Sequence, residues 1–319
     1  MVQAWKIKGV ATIKLLRWAD LAGSTYYYKP SVGKRGRKPS THTLTLEGEV
    51  KENQVVVRHI ERVLSQEFCC YGYQLMTTEL TESGFIINHK KVYRLMKKNH
   101  LLYNGRICVH GAPRSFVRFR RIEANRPLQY LCMDIKYVHI HGQGRNALLL
   151  TILDVYTRKA LAHMLRFSIK KGDVLMLLSL LLLQYHPEGM TLRNDNGSQF
   201  IASAVRQYLK GKGIYQEFTH VATPQDNGYI ESLHASLQRE VIDRFEFETL
   251  EQAQSVIGRY YNWYNEKRRH WSLQRGTPAQ VWNQYFNPWP YKTNNSSLAL
   301  EKKNNQLNCL EKTLQKIRG

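Results

Sequence analysis

Cysteine is scarce in this sequence, and what there is does not pair up. Cys69, Cys70, Cys108, Cys132 and Cys309 are odd in number and show no C-x-x-C spacing, which argues against a disulfide framework and against a cysteine-rich zinc site. A reducing, cytoplasmic setting fits that usage. Long apolar runs are missing too. The longest, Val174 to Leu183, covers ten residues, about half of what a bilayer-spanning helix needs, and reads as a buried helix. The N-terminus carries no apolar core ending in small residues, so nothing marks export. Acid is the third shortage: 25 Asp and Glu stand against 47 Lys and Arg, a net charge of +22 at pH 7. Such an excess suits a polyanionic partner, because each phosphate neutralised releases counterions; an acidic protein or an anionic membrane surface would exploit the same field. The excess is uneven, with 23 basic and 9 acidic residues in 1–130 and 24 and 16 in the remainder.

What is present supports real cores. Hydrophobic residues make up 43% and aromatics 11% of 319 residues, enough for one large or two to three ordinary domains and outside the disordered and fibrous classes. Residues 1–50 read as a helical piece, closed by Ser24-Thr25-Tyr26-Tyr27-Tyr28, and a basic linker from Ser31 to Ser40. Within that linker Lys34, Arg35, Arg37 and Lys38 form an extended cationic segment suited to a narrow minor groove, or simply solvated. Residues 51–105 show helical periodicity over Glu52–Phe68, Tyr73–Glu82 and Asn88–Asn99. In the last of these, Val92, Leu95 and Met96 form an inward stripe. Lys90, Lys91, Arg94, Lys97 and Lys98 form an outward one, as a helix-turn-helix recognition helix would present them; a basic surface helix without base readout is the plainer alternative. Residues 106–126 are a second basic connector.

Composition changes near Leu128. Strands are expected at Tyr130–His141, Asn146–Tyr156 and Lys159–Phe167, followed by the Val174–Tyr185 helix, a short strand ending at Asn194, a helix at Ile201–Lys210, a strand at Tyr215–Phe218, and helices over Asn227–Asp243 and Leu250–Asn265. Three antiparallel strands followed by alternating helix and strand make an α/β pattern, a mixed sheet covered on both faces. Residues 287–319 read as a tail with one short helical stretch, Leu307–Ile317.

Three carboxylates sit where such a sheet collects ligands. Asp134 lies inside an apolar strand, where a charge is costly unless paired or bound to a metal. Asp195 ends the fourth strand beside a glycine turn, and Glu231 opens a helix with 35 residues between the two acids. Hard oxygens brought together without His or Cys select Mg²⁺ or Mn²⁺, and two such ions can stabilise both attacking and leaving oxygens of an in-line phosphoryl displacement. Lys136 shares a strand face with Asp134 and could pair with it or meet a phosphate. Asp154 is read as a cap or hydrogen-bond acceptor, Asp226 as a turn or N-cap residue, and His139 with His141 as too poor in partners for zinc.

The D…D-35-E spacing and its neighbours, Tyr71-Gly-Tyr73, Val92-Tyr-Arg-Leu-Met96, Tyr261-Asn-Trp-Tyr-Asn-Glu-Lys-Arg-Arg-His270 and Gly276-Thr-Pro278, resemble the DDE recombinases, and within them the transposases of IS3-type bacterial insertion sequences. Many relatives carry Trp and Thr where this chain has Leu131 and Met133, and His-Ser where it has Arg193-Asn194. The resemblance implies an RNase H-like catalytic core at 127–286 behind a helix-turn-helix-like region, with Asp134, Asp195 and Glu231 holding two metal ions. It implies DNA nicking to a 3′-OH and strand transfer at terminal inverted repeats, through a circular intermediate. It also implies a homo-oligomeric synaptic complex, and an upstream reading-frame product to which such chains are joined by frameshift. Arg268, Arg269 and His270 are placed beside the active site as DNA contacts, against the alternative that Tyr261, Trp263 and Tyr264 make this segment scaffold. A retroviral-type integrase and a DNA-binding regulator with a dead core are the competing functions; the first normally carries a His₂Cys₂ zinc domain absent from this spacing, and the second predicts loss of an acid that is not lost.

Overall fold

A computed structural model describes residues 2–29, 39–102, 122–185, 189–219 and 227–287. The cationic linker residues Lys34, Arg35, Arg37 and Lys38, most of the 106–126 connector, Asp226 and the tail lie outside them.

The chain opens with three short helices, α1 (Val2–Ile7), α2 (Thr12–Trp18) and α3 (Gly23–Tyr26). A small domain follows, built from β1 (His42–Thr45), β2 (Val50–Glu52), α4 (Asn53–Leu64), α5 (Tyr73–Glu82), β3 (Phe85–Ile86) and α6 (His89–Lys98). The expected helices are all present, α5 with the expected bounds. Val56, Ile60, Met76, Leu80, Val92 and Met96 are sealed from solvent between them. Asn88 caps α6, its side chain accepting from the Lys91 amide at 2.9 Å. The antiparallel sheet β2-β1-β3 was not anticipated. Its strands are two to four residues long, shorter than the stretch over which a period of two can be recognised.

The larger domain is a five-stranded mixed sheet in the order β6-β5-β4-β7-β8, from β4 (Tyr130–Ile140), β5 (Arg145–Asp154), β6 (Ala160–Arg166), β7 (Thr191–Asn194) and β8 (Tyr215–Phe218). Strands β4, β5 and β6 are antiparallel, while β7 runs parallel to β4 and β8 to β7. Helices α7 (Lys171–Tyr185), α8 (Ser198–Ile201) and α9 (Ser203–Gly211) cover one face through Met133, Leu150, Ile152, Leu178 and Leu209. The other is covered by α10 (Gly228–Leu237) and α11 (Leu250–Glu266) through Cys132, Leu149, Leu153, Leu237 and Tyr260. Two separate apolar clusters on one sheet are the mixed, double-faced arrangement expected from the sequence. Two elements differ. The anticipated single helix over Asn227–Asp243 breaks into a π-helical turn at Gln238–Ile242, and a further helix, α12 (Pro278–Phe286), follows a capping box made by Thr277 and Gln280.

The two domains share a seam. Trp263 packs against both cores, and the Tyr71 hydroxyl donates to the Lys267 carbonyl at 3.0 Å while accepting from the Arg269 amide at 3.1 Å.

Candidate active site

Strand register brings the first two acids together. Met133 on β4 is the Cα partner of Asn194 on β7, so the residues that follow, Asp134 and Asp195, emerge side by side where the parallel pair ends. Cys132, Asp134 and Lys136 share a face by the period of two, the face that α10 covers. Helix α10 supplies Glu231 in its first turn and, one turn later, His234, whose Nδ1 lies 3.4 Å from Asp134 Oδ2.

The acids feel one another. Burial raises the Asp195 pKa, and the charge of Asp134 raises it further against the Gly197 amide, which donates to Asp195 Oδ1 at 3.0 Å. Burial also raises the Glu231 pKa, again reinforced by Asp134 and opposed by His234. Asp134 is therefore the common neighbour of both other acids. At Gly197 a Cβ would come within 3.1 Å of Asp195 Oδ1 and 2.5 Å of the Gln199 side-chain Nε2. Lys136 sits nearby, its pKa lowered by burial against the opposing charges of Asp243 and Asp134. Among the described residues, no three His, Cys, Asp or Glu side chains close into a ready-made metal cage.

Asp154 is the hydrogen-bond acceptor that its position suggested. Fully buried, it accepts from the Leu128 and Thr157 amides and the Thr157 hydroxyl at 2.6–2.8 Å. His139 pairs with Asn146 at 2.9 Å and stacks edge-on against His141.

The cationic residues divide into three groups. On α6, Lys90, Arg94, Lys97 and Lys98 are exposed on one face. Lys91 departs from that stripe: its ammonium turns back to donate to the His42 carbonyl and the Ser40 hydroxyl, and burial lowers its pKa. It holds α6 to the small sheet, because a long side chain at the start of a helix reaches the strand end beside it. The residues after α11 find partners within the protein. Arg268 makes a two-pronged ion pair with Glu240, Nε and Nη2 at 2.8 Å from its two oxygens, and also reaches Ser236. Arg269 is 7% exposed and reaches out of the core domain to Glu79 and Glu82 of α5 at 2.6–2.7 Å. His270 packs edge-on against Tyr264, its pKa lowered to about 3 by burial and by the charges of Arg268 and Arg158. A basic run in sequence becomes a set of internal pairs because its acids arrive from remote elements.

Two residues escaped the sequence reading. His234 stands three residues after Glu231, the spacing that puts both on one helix face. Glu240 is buried, 4% exposed, and collects Arg268, Tyr260 and Arg239; only the tertiary fold gathers these partners.

Profiles of known families match in the same order along the chain. An HTH-like domain matches residues 51–106, and the Integrase core domain matches residues 124–224 and, through a second profile, 212–278. The chain is 26% identical to the putative transposase InsK for insertion sequence element IS150 of Escherichia coli K12, over 86% of this chain and 94% of that one. It is 26% identical to the transposase for IS904 of Lactococcus lactis, over 71% and 93%. It is 24% identical to the transposase for IS629 of Shigella sonnei, over 83% and 89%. Among solved structures, the HTLV-2 integrase catalytic core domain in complex with magnesium aligns with half of this chain and 99% of its own, at 13% identity and a TM-score of 0.36. Among the described residues, no helix is long and apolar enough to cross a membrane.

Proposed function

Being a DNA transposase assembled from an HTH-like domain and an integrase core, the chain is, we propose, of the IS3 type, with Asp134, Asp195 and Glu231 as its catalytic acids. One observation carries the residue assignment: strand register sets Asp134 beside Asp195, and Asp134 is also the charge that Glu231 feels. A carboxylate charge that adds to burial in raising its neighbours' pKa is relieved by a cation, and an all-oxygen donor set suits Mg²⁺ or Mn²⁺. When bound, such ions would polarise the scissile phosphate and stabilise charge on the attacking and leaving oxygens.

The chain's own residues do the rest. Asp134 and Asp195 are held by a rigid sheet, Asp195 by the Gly197 amide, whereas Glu231 comes from the helix on the far side of the 220–226 segment. The first step is attack of water on a phosphodiester at the element end, forming one P–O bond and releasing a 3′-OH. In the second, that hydroxyl attacks another phosphodiester and the displaced 3′-oxygen leaves. End recognition falls to the 51–105 domain, through the exposed face of α6. Lys34, Arg35, Arg37 and Lys38 serve as an additional backbone contact, and several copies assemble on paired ends in the bacterial cytoplasm. Circular-intermediate formation, joining to an upstream frame product, and the domain limits 1–50, 51–105, 106–126, 127–286 and 287–319 belong to the same reading.

The test uses the full chain with labelled terminal-repeat DNA. Asp134→Asn, Asp195→Asn and Glu231→Gln should each abolish Mg²⁺-dependent cleavage and joining while retaining end binding. Metal-dependent joining by any of them would remove that residue from the triad.

A further inference from the structure

Beyond the acids, the sheet ends in an open edge. Strand β8 pairs only with β7 among the described residues, and beside it, under α9, runs a groove of about 670 Å³. Arg206 and Lys210, one helical turn apart on α9, face it together with Gln207, Tyr215, Gln216 and Phe218. Among the described residues no carboxylate lines it. Tyr215 is 67% exposed, an aromatic face held on a rigid strand. The Gln216 amide donates to Asn194 Oδ1 at 2.9 Å and to the Phe200 carbonyl at 3.1 Å, which ties the groove floor to the segment carrying Asp195. Its own Oε1 is buried and finds no donor among the described residues. At one end of β8, Phe218 is the register partner of Asn194, the residue before Asp195.

We propose that this groove binds an unpaired DNA strand, so that one strand of the DNA at the active site leaves the duplex along β8. The proposal rests on the transposase reading above and names a substrate surface within it. The chemistry selects this occupant in two parts. Two cations a helical turn apart, with no acid lining the groove among the described residues, suit a phosphodiester backbone. An exposed tyrosine offers a stacking platform, and cations combined with aromatic platforms are how single strands are held without sequence readout. The base face is hidden in a duplex and becomes available when the strand separates.

The experiment uses the full-length protein, with fluorescence anisotropy of a fluorescein-labelled 15-nucleotide strand of mixed sequence and of the same sequence as a duplex. Arg206→Ala with Lys210→Ala should weaken single-strand binding about tenfold and reduce the salt slope by roughly 1.4, at about 0.7 per phosphate contact. Arg206→Lys with Lys210→Arg should restore it. Tyr215→Ala should weaken the same binding about fivefold or more, the loss of one stacked base. Duplex binding should change less than twofold throughout. Unchanged single-strand affinity in these variants overturns the proposal, as does an equal loss for both forms of DNA. A change in oligomeric mass by light scattering with single-strand affinity intact would assign the edge to a second copy instead. The Asp134→Asn protein separates the two readings: it should bind the single strand normally, so a failed catalytic assignment leaves the groove measurement standing.

Discussion

The seam between the two domains and the carboxylate cleft use charge in opposite ways. At the seam two guanidiniums are matched by acids: Arg269 spans from the end of α11 to Glu79 and Glu82, and Arg268 beside it is paired with Glu240 at 5% side-chain exposure. In the cleft the same kind of carboxylate is left facing its own sign, and Asp195 and Glu231 are each made harder to ionise by Asp134. One region uses ion pairs to fix a geometry; the other brings carboxylates together at the place where the proposed function needs a cation and a phosphate. The contrast shows why position along a sequence does not tell a structural charge from a working one. Arg268 and Arg269 lie in a run that looks like a phosphate clamp and are paired with acids of the protein itself, whereas Asp134 looks misplaced in a strand and has His234 Nδ1 3.4 Å away.

The sharpest break in this comparison is to remove one charge from each side. Asp134→Asn should take strand transfer below detection while leaving the melting temperature unchanged or slightly higher, since a repelling charge has gone. Arg268→Ala should do the reverse, leaving Glu240 buried with only Arg239 and Tyr260 as partners at a cost approaching about 3 kcal/mol, the lower end for a broken buried pair, and Glu240→Gln should recover part of that loss in the double variant. Thermal unfolding followed by circular dichroism, with strand transfer per folded molecule, reads both. Loss of activity at unchanged stability in Arg268→Ala would return that residue to the DNA-contacting side.

Arg269→Ala should cost less, about 1–2 kcal/mol, because Glu82 is more than half exposed and solvent screens its share. Its signature is local: faster proteolysis between the domains with the catalytic core intact. Arg269→Lys should not rescue it fully, since an ammonium cannot satisfy two carboxylates with the fork that a guanidinium provides.

The smallest effects are in pH. Asp195 and Glu231 have folded-state pKa values above their unfolded ones, so in metal-free protein the stability they contribute is present at low pH and is lost as pH rises through the raised values. His270 has the opposite sign. Its pKa, lowered to about 3 in the fold, gives stability that is present above about pH 6.5 and lost as pH falls toward that value. In melting curves taken from pH 4 to 8 with chelator, Asp195→Asn with Glu231→Gln should flatten the loss on the alkaline side, and His270→Gln should flatten part of the loss on the acid side. Equal slopes in wild type and variants would place these groups outside the linkage.

Much of the fold was legible because its elements are long and regularly patterned. The β4–β5–β6 meander, the apolar α7 and the helices α4 to α6 follow from period and composition alone. The two-residue strand β3 and the π-helical turn at Gln238–Ile242 were not, since neither is long enough to carry a period and both are imposed by neighbours. The acids were legible for a different reason: an Asp in an apolar strand and an Asp before a glycine turn violate local preference, and such violations are where function is expected. His234 broke no rule and was missed.

By itself, then, the amino-acid sequence determined the two-part architecture, the excess of positive charge, the three acids and the cationic face of α6. All of these are properties of pattern within one element or of spacing along one chain. The tertiary structure alone decided which charges meet. It paired Arg269 with an acid 187 residues away, turned Lys91 inward, gathered Arg268 and Tyr260 around Glu240, and set the groove beside β8 against the strand that leads into Asp195. An ion pair is fixed by distance and shared burial, both set by how elements pack against one another, and neither is written in the order of residues along the chain.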